Sequence, residues 1–278
     1  MHPSIDPIDP ADYDFTINLL RNFFRRRGFI ETPVQHRLSI LAACEDPRTI
    51  ATYNYAGALW PLPQTGQMWL EYELLTKPNV GGYYCISTSY RNEPNPIPGR
   101  HNLIFPMFEF ETRGHIDTLI QLERDLLLST GITSRSEFRS ASYADVAEKY
   151  CVTELTAAQE KMIGEDLGNV FFLIYFPRHT SPFWNMRISG DVAHKVDVIL
   201  HGIETIGSAE RSTDSDEMRQ AFHTISDGMY ADILYAQFGK DRVLEELEKF
   251  LSLNFFPRCG GGIGITRMIR ALKLSKIL

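Results

Sequence analysis

The sequence predicts an α+β fold, a mainly antiparallel sheet flanked by helices. Several short apolar runs read as strands, and they do not alternate regularly with helical stretches as a parallel sheet would require. Two strand pairs are separated by turn formers, the Pro- and Gly-rich segment NPIPG and the pair His201-Gly202. With 278 residues, 44% of them hydrophobic, the chain has ample core for one large domain or two small ones.

The elements follow from local pattern. Residues 14–27 read as a helix, because Phe15, Leu19, Phe23 and Phe24 recur at helical spacing and Gly28 stops it. FIETPV, with Pro33 near its end, is a short strand, and residues 39–65 are rich in turn formers and read as irregular. Residues 67–75 look helical, and Gly81-Gly82 break the chain before a strand over 83–91. A hairpin loop and a second strand carry the chain to about Arg113, and 116–128 is an amphipathic helix. A short helix spans 142–150, and VFFLIY (170–175) is too apolar and too short for anything but a buried strand. Strands over 195–200 and 203–208 follow, then two helices over 216–251, and the Gly-rich turn CGGGIG leads into a terminal helix from Thr266.

The formal charge of -7 argues against a broad nucleic-acid-binding face, which is normally basic. The cysteines (Cys44, Cys85, Cys151, Cys259) show no CxxC spacing, so they are expected to be buried and reduced in a cytosolic setting. The acidic, Pro-rich start excludes a signal peptide, and no apolar run approaches a membrane span. The expectation is a soluble cytoplasmic protein without a membrane partner.

Three constellations carry the chemistry. In YRNEPNPIPGRHNLIFPMFEFE, Arg91 and Glu93 precede a loop tipped by Arg100 and His101, and Phe105, Glu109 and Glu111 follow. A cation for a phosphate, a ring for adenine and carboxylates for a metal or an ammonium are the parts of an ATP site. The same residues also fit an ordinary surface hairpin with an Arg-Glu pair. Asp197 and Glu204 stand on two strand segments joined at Gly202. They suit a shared Mg²⁺, or a pair of solvated strand-edge acids. Close behind them, Arg211 is placed to pair with a carboxylate or carbonyl. GIGITR, ending in Arg267, puts a glycine-lined strand into a helix whose first turn carries a cation, and no strand-helix-strand unit follows that would make it a dinucleotide turn.

In this order the constellations resemble the class II aminoacyl-tRNA synthetases of the aspartate, asparagine and lysine subgroup. FFRRRGFIETPV looks like the family's first motif, a helix and strand ending in proline (Pro33) at the dimer interface. YRNE with RHNLIFPMFE looks like its second and GGGIGITR like its third. VDVILHGIETIGSAERSTD is similar to its metal- and substrate-binding strands, and LPQTGQ to its amino-acid-binding segment. The resemblance runs from about Asp14 to the C-terminus, which makes residues 1–278 a single synthetase-like catalytic domain.

The resemblance implies that Arg91 holds the α-phosphate of ATP, Phe105 stacks on adenine and Glu93 contacts its amino group. Arg100 or His101 reaches the γ-phosphate, and Arg267 covers adenine from the opposite face. Asp197 and Glu204 bind Mg²⁺. Thr65, Gln67 and Glu109 line the amino-acid pocket near its ammonium group, and Arg211 reads the substrate side chain. The reaction is attack of a carboxylate on the α-phosphorus, for which positioning and charge neutralisation suffice.

Departures from the family pattern bear on substrate and acceptor. Aspartate enzymes carry a lysine three residues after the pocket glutamine; here that residue is Leu70 after Gln67, which weakens preference for aspartate over asparagine and leaves room for an inverted substrate pose. The sequence starts almost directly at the first motif, so an anticodon-binding domain is not expected, and tRNA is disfavoured as acceptor unless a partner supplies it. Stand-alone cores of this type include ammonia-dependent asparagine synthetases, and the archaeal form also has a Glu directly before the side-chain arginine, as Glu210-Arg211 does here. ATP-dependent activation of aspartate or asparagine, with ammonia as acceptor, is therefore the leading expectation. Transfer to a tRNA, a protein or a small amine, or a non-catalytic regulatory role, is the alternative. The apolar run Leu19, Leu20, Phe23, Phe24 and Phe29 predicts a homodimer.

Overall fold

A computed structural model describes residues 7–43, 46–96, 102–134 and 138–278. Arg100 and His101 therefore lie outside the described residues, as does Cys44. In chain order the elements are α1 (Pro10–Arg26), β1 (Phe29–Glu31), the hairpin β2 (Thr52–Tyr55) and β3 (Ala58–Pro61), α2 (Gln67–Thr76), β4 (Gly82–Tyr90) and β5 (Ile104–Arg113). There follow α3 (Ile116–Thr130), β6 (Arg139–Ser142), α4 (Tyr143–Lys149), α5 (Ala157–Asp166), β7 (Val170–Pro177), β8 (Ile188–Ser189), β9 (Val192–Leu200) and β10 (Ile203–Glu210). The helices α6 (Ser215–Thr224), α7 (Met229–Phe238) and α8 (Lys240–Leu251), strand β11 (Arg258–Gly264) and helix α9 (Ile265–Leu274) complete the chain.

The main sheet runs β1-β4-β5-β11-β10-β9-β7-β6, with β8 paired to β9. From β4 to β7 every pairing is antiparallel, and only the edge strands β1 and β6 pair in parallel. Its back face carries Tyr84, Phe108, Phe110, Val196, Val198 and Ile206, and α1, α3 and α9 cover it. Helix α1 starts where Asp9 accepts hydrogen bonds from the N–H groups of Ala11 and Asp12 and Pro10 takes the first helical position. It ends before Gly28, whose φ of +77° few other residues tolerate. The front face is left for the site, with α2 on one flank and α6–α8 and α4–α5 building separate apolar clusters around it.

The structure corrects several expectations. Residues 39–65 are not wholly irregular, since β2 and β3 form a hairpin turning at Ala56-Gly57. Residues 216–251 hold three helices, because Ser226, Asp227 and Gly228 all adopt positive φ and break the run between α6 and α7. CGGGIG is part of strand β11. Cys85 and Cys259 are buried, but Cys151 is exposed. Leu20, Phe23, Phe24 and Phe29, the residues behind the homodimer expectation, pack into the protein's own core, with Leu19 against it. What α1 and β1 leave exposed is Phe15 and Ile30, 41% and 48% accessible. Among the described residues no helix is long and apolar enough to cross a membrane.

Helix α3 places one carboxylate in the core. Both oxygens of Glu123 are buried without a hydrogen-bond partner. Burial pushes its carboxyl up to about 8, against a smaller opposing effect of Ser208, with the charge of Asp197 adding to the rise. The folded protein thus holds a proton here that the unfolded chain, at an ordinary value of 4.5, releases. Stability from this group is complete below about 4.5 and is lost as pH rises towards 8, by a few kcal/mol at roughly 1.4 kcal/mol per pH unit between the two values. Glu123→Gln should raise the melting temperature at pH 9 by roughly 6–15 °C, at about 2–4 °C per kcal/mol for a chain of this size, and leave it unchanged at pH 4. A thermal scan showing the same difference at both pH values would remove Glu123 as the cause.

Candidate active site

Strand register assembles the floor of the site. One row across the sheet reads Asp197, Gly207, Gly262, Glu109, Cys85, and the next reads Lys195, Ala209, Gly260, Glu111, Tyr83. Residues directly opposite one another in antiparallel strands point to the same face, so the acids at both ends lean over a strip of glycine and alanine. A cavity of about 410 Å³ opens above that strip. Its walls include Arg91, Glu93, Phe105, Thr65, Gln67, Glu109, Glu204, Arg211 and Arg267.

Asp197 and Glu204 meet because of a bulge. Glu204 pairs with Ile199 and Gly207 with Asp197, and the register slips between Glu204 and Ile206. Three residues apart on a regular strand, Glu204 and Gly207 would face opposite sides; the extra residue, Thr205, turns both to the front. A methyl group on Gly207 would lie 2.9 Å from Glu204 Oε1 and 3.7 Å from Asp197 Oδ1, so the bare glycine is what lets the two carboxylates converge. Asp197 Oδ1 is buried and has no hydrogen-bond partner, while Oδ2 accepts from Lys195 Nζ at 2.8 Å. Burial raises Asp197 to about 7, Lys195 opposes this and Glu204 adds to it. An orphaned carboxylate oxygen beside a second acid fits Mg²⁺, which takes one or two protein carboxylates and completes its shell from water and phosphate. Asp197 stands behind the cavity wall, with Lys195 and Glu204 on the wall itself.

At one rim of the cavity stand Arg91, just past the end of β4, and Phe105 on β5. Backbone bonds from Arg91 N to Leu103 O (2.7 Å) and Asn92 N to Thr49 O (2.8 Å) hold the strand end, and Arg91 Nε donates to Ser89 Oγ at 3.2 Å. The Arg91 guanidinium lies 5.9 Å from the centre of the Phe105 ring. Arg267, in the first turn of α9, donates from Nη1 to Glu204 O at 2.7 Å, which fixes it beside the carboxylate pair. A cation and ring at one rim and a second cation at the other frame a slot for a planar base and its phosphates.

The deep end is a buried network of charge. Arg211 donates from Nε and Nη2 to the two oxygens of Glu111, both at 3.3 Å, and from Nη2 to Gly260 O at 3.2 Å. Its Nε lies 3.7 Å from Glu71 Oε1, and Arg258 pairs with the other oxygen of Glu71 at 2.8 Å. Burial pushes Glu111 up to about 7, with Arg211 opposing and Glu71 contributing. Burial works against the Arg211 cation, yet Glu111 and Glu71 hold its pKa above the ordinary value. Between the two ends, Glu109 accepts from Thr65, Ser87 and Gly66 N, and Gln67 donates to Phe110 O at 3.0 Å and to Glu111.

Sequence reading missed part of this wall. Leu70 does not leave space in the cavity: it is fully buried in the cluster with Val34, Trp69 and Leu74. Glu71 lines the cavity, one turn on from Gln67 and on the same face of α2. Lys195, two residues before Asp197, shares its strand face, so its place was legible from the period of two. Ser181, Phe183 and Asn185 reach the site from the loop between β7 and β8, which no motif marks.

The family model described as tRNA synthetases class II (D, K and N) matches residues 14–277. The aspartate–tRNA(Asp) ligase of Pyrobaculum aerophilum is 26% identical over 120 residues, covering 43% of this chain and 25% of its own length. The cytoplasmic asparagine–tRNA ligase of Dictyostelium discoideum is 24% identical over 220 residues, 64% of this chain and 33% of its own. The chain thus spans a quarter to a third of these curated relatives. Among solved structures, asparaginyl-tRNA synthetase from Pyrococcus horikoshii complexed with asparaginyl-adenylate aligns with a TM-score of 0.75 at 18% identity, over 96% of this chain and 65% of that one. Aspartyl-tRNA synthetase from Entamoeba histolytica aligns at 0.68 and 16% identity, over 94% and 54%. At these identities the structural likeness shows the fold.

Proposed function

The chain belongs to the class II tRNA synthetases of the aspartate, lysine and asparagine group, and from that premise we propose that it activates aspartate or asparagine with ATP as an aminoacyl-adenylate, with ammonia as the acceptor that turns activated aspartate into asparagine. The observation that carries this is the order of chemistry along one cavity. Arg91, Phe105 and Arg267 stand at the mouth, the Asp197–Glu204 pair over Gly207, and Arg211 between Glu71 and Glu111 at the deep end.

In the first step a substrate carboxylate oxygen attacks the α-phosphorus and the bond to pyrophosphate breaks. Arg91 and Arg267 neutralise the charge on the phosphates and hold attacker and leaving group in line. Mg²⁺, held by Asp197 and Glu204, would supply further compensation of that charge. In the second step ammonia nitrogen attacks the activated carbonyl, the bond to AMP breaks and a proton leaves with the solvent. For asparagine synthesis the aspartate side-chain carboxylate must face Arg91, so its ammonium and α-carboxylate enter the deep end. A cation flanked by two carboxylates complements that zwitterionic head. The net charge of -7 also favours a small acceptor over a polyanionic one.

The test is to incubate protein, aspartate, ATP, Mg²⁺ and ammonium and to look for asparagine and AMP by mass spectrometry. Aspartyl-adenylate without asparagine would redirect the acceptor to another amine, a protein lysine or a tRNA. Pyrophosphate exchange supported by no amino acid would end the adenylation reading and leave a non-catalytic role.

A homodimer through α1 and β1 belongs to the same proposal, now resting on exposed Phe15 and Ile30 beside the sheet's edge strand. Light scattering at micromolar concentration with ATP present should give twice the chain mass; the mass of one chain would count against it.

A further inference from the structure

Asn185 is 1% exposed, lines the cavity, and has a side-chain oxygen with no hydrogen-bond partner. Its position is tightly held. Trp184 beside it is anchored in the cluster of Met218, Phe222 and Phe250. Ser212 N donates to Asn185 O at 2.8 Å, and Met186 bridges to Arg211. The amide orientation is fixed by chemistry as well. Nδ2 donates to Glu71 Oε1 at 2.6 Å, and the flipped amide would set an acceptor against a carboxylate. Oδ1 is therefore the atom left over. A buried acceptor without a donor is costly to maintain in a fold, and this one sits on the cavity wall beside the Glu71–Arg211 pair.

We infer that Asn185 is a specificity-determining residue of the amino-acid site, its Oδ1 accepting a hydrogen bond from a substrate N–H while Arg211 takes the neighbouring substrate oxygen. The inference rests on the amino-acid-activating function proposed above. Two groups supply the required N–H next to an oxygen. One is the side-chain amide of asparagine bound with its α-carboxylate at the phosphates, and the other is the ammonium of aspartate bound the opposite way round. Asn185 and Arg211 together then reject a ligand of the same length that presents only oxygens at this end.

The experiment is calorimetric titration of wild type and Asn185→Ala, saturated with a non-hydrolysable ATP analogue and Mg²⁺, with asparagine, aspartate and succinate. Succinate is aspartate without its ammonium. If asparagine is the occupant, the wild-type preference for asparagine over aspartate should shrink by roughly 10- to 100-fold in the variant. If inverted aspartate is the occupant, the preference for aspartate over succinate should shrink by that factor. The affinity for the ATP analogue should not change. A variant that weakens all three ligands equally, or none, overturns the inference and leaves the adenylation proposal standing. Failure of wild type to bind either amino acid overturns both. Glu71 keeps its pairing with Arg258, so Asn185→Ala should fold; Asn185→Leu, close in size and without an acceptor, serves the same comparison if it does not.

Discussion

Replacing Asp197 or Glu204 by alanine is expected to lower adenylate formation by two to four orders of magnitude while the fold survives. Triphosphate charge must be compensated where the α–β bond breaks, and a divalent cation supplies several kcal/mol of that stabilisation. At 1.36 kcal/mol per tenfold in rate, a loss of roughly 3–5 kcal/mol gives this range. Lys195 already holds Asp197 Oδ2, so the pair carries one built-in cation before any metal arrives. That ammonium is a quarter exposed and can turn to water in the Asp197 variant, which is why unfolding is not expected. Glu204 is more open still, and only its backbone oxygen anchors Arg267 by a short hydrogen bond, so removing the carboxylate leaves that contact in place. The assay is pyrophosphate exchange across a Mg²⁺ titration, with thermal melting as the check on folding. Near wild-type exchange in both variants would show that these carboxylates do not hold the metal.

Local pattern makes the β4–β5 hairpin and the start of α9 readable from the sequence. Arg91, Phe105 and Arg267 lie where strands end and a helix begins, and Gly, Pro and apolar runs mark such boundaries strongly. The Thr205 bulge was not readable. Strict alternation puts Glu204 and Gly207 on opposite faces, and only the observed slip brings Glu204 to Asp197. The β2–β3 turn shows a weaker signal of the same sort. Ala56 and Gly57 both take positive φ, but Ala occupies the place where Asn or Asp would announce such a hairpin. β11 was legible only at its end, where GIG reads as a glycine-lined strand running into a helix; the longer CGGGIG run reads as a turn, since three consecutive glycines argue against a strand. They are there because β5 and β10 press so close: a methyl on Gly260 would lie 2.1 Å from Glu111 Oε2 and 2.2 Å from Phe110 O. Asn185 carried no signal at all, because its role depends on a contact with Glu71 more than a hundred residues away.

Arg211→Lys is expected to raise the KM for the amino acid by roughly 30- to 300-fold, the loss of one to two hydrogen bonds between charged groups, with little change in the KM for ATP. Charge is kept in this variant, so the effect isolates geometry. The Arg211 guanidinium meets both oxygens of Glu111, the carbonyl of Gly260 and the edge of Glu71 at once. A lysine ammonium is a compact tetrahedral donor on a flexible stem and cannot span that set while also presenting a donor to the substrate. Glu111 makes the mismatch worse. Burial already lifts it to about 7, and the Arg211 charge is what chiefly holds it down; a poorer partner lets it take up a proton and changes the charge of the deep end. Arg211→Ala would be a blunter test, because stripping the cation from two buried acids costs about 3–5 kcal/mol in stability by itself. Steady-state kinetics with amino acid and ATP varied separately decide the matter. A rise in the KM for ATP matching that for the amino acid would mean that Arg211 supports the whole cavity and does not read the substrate.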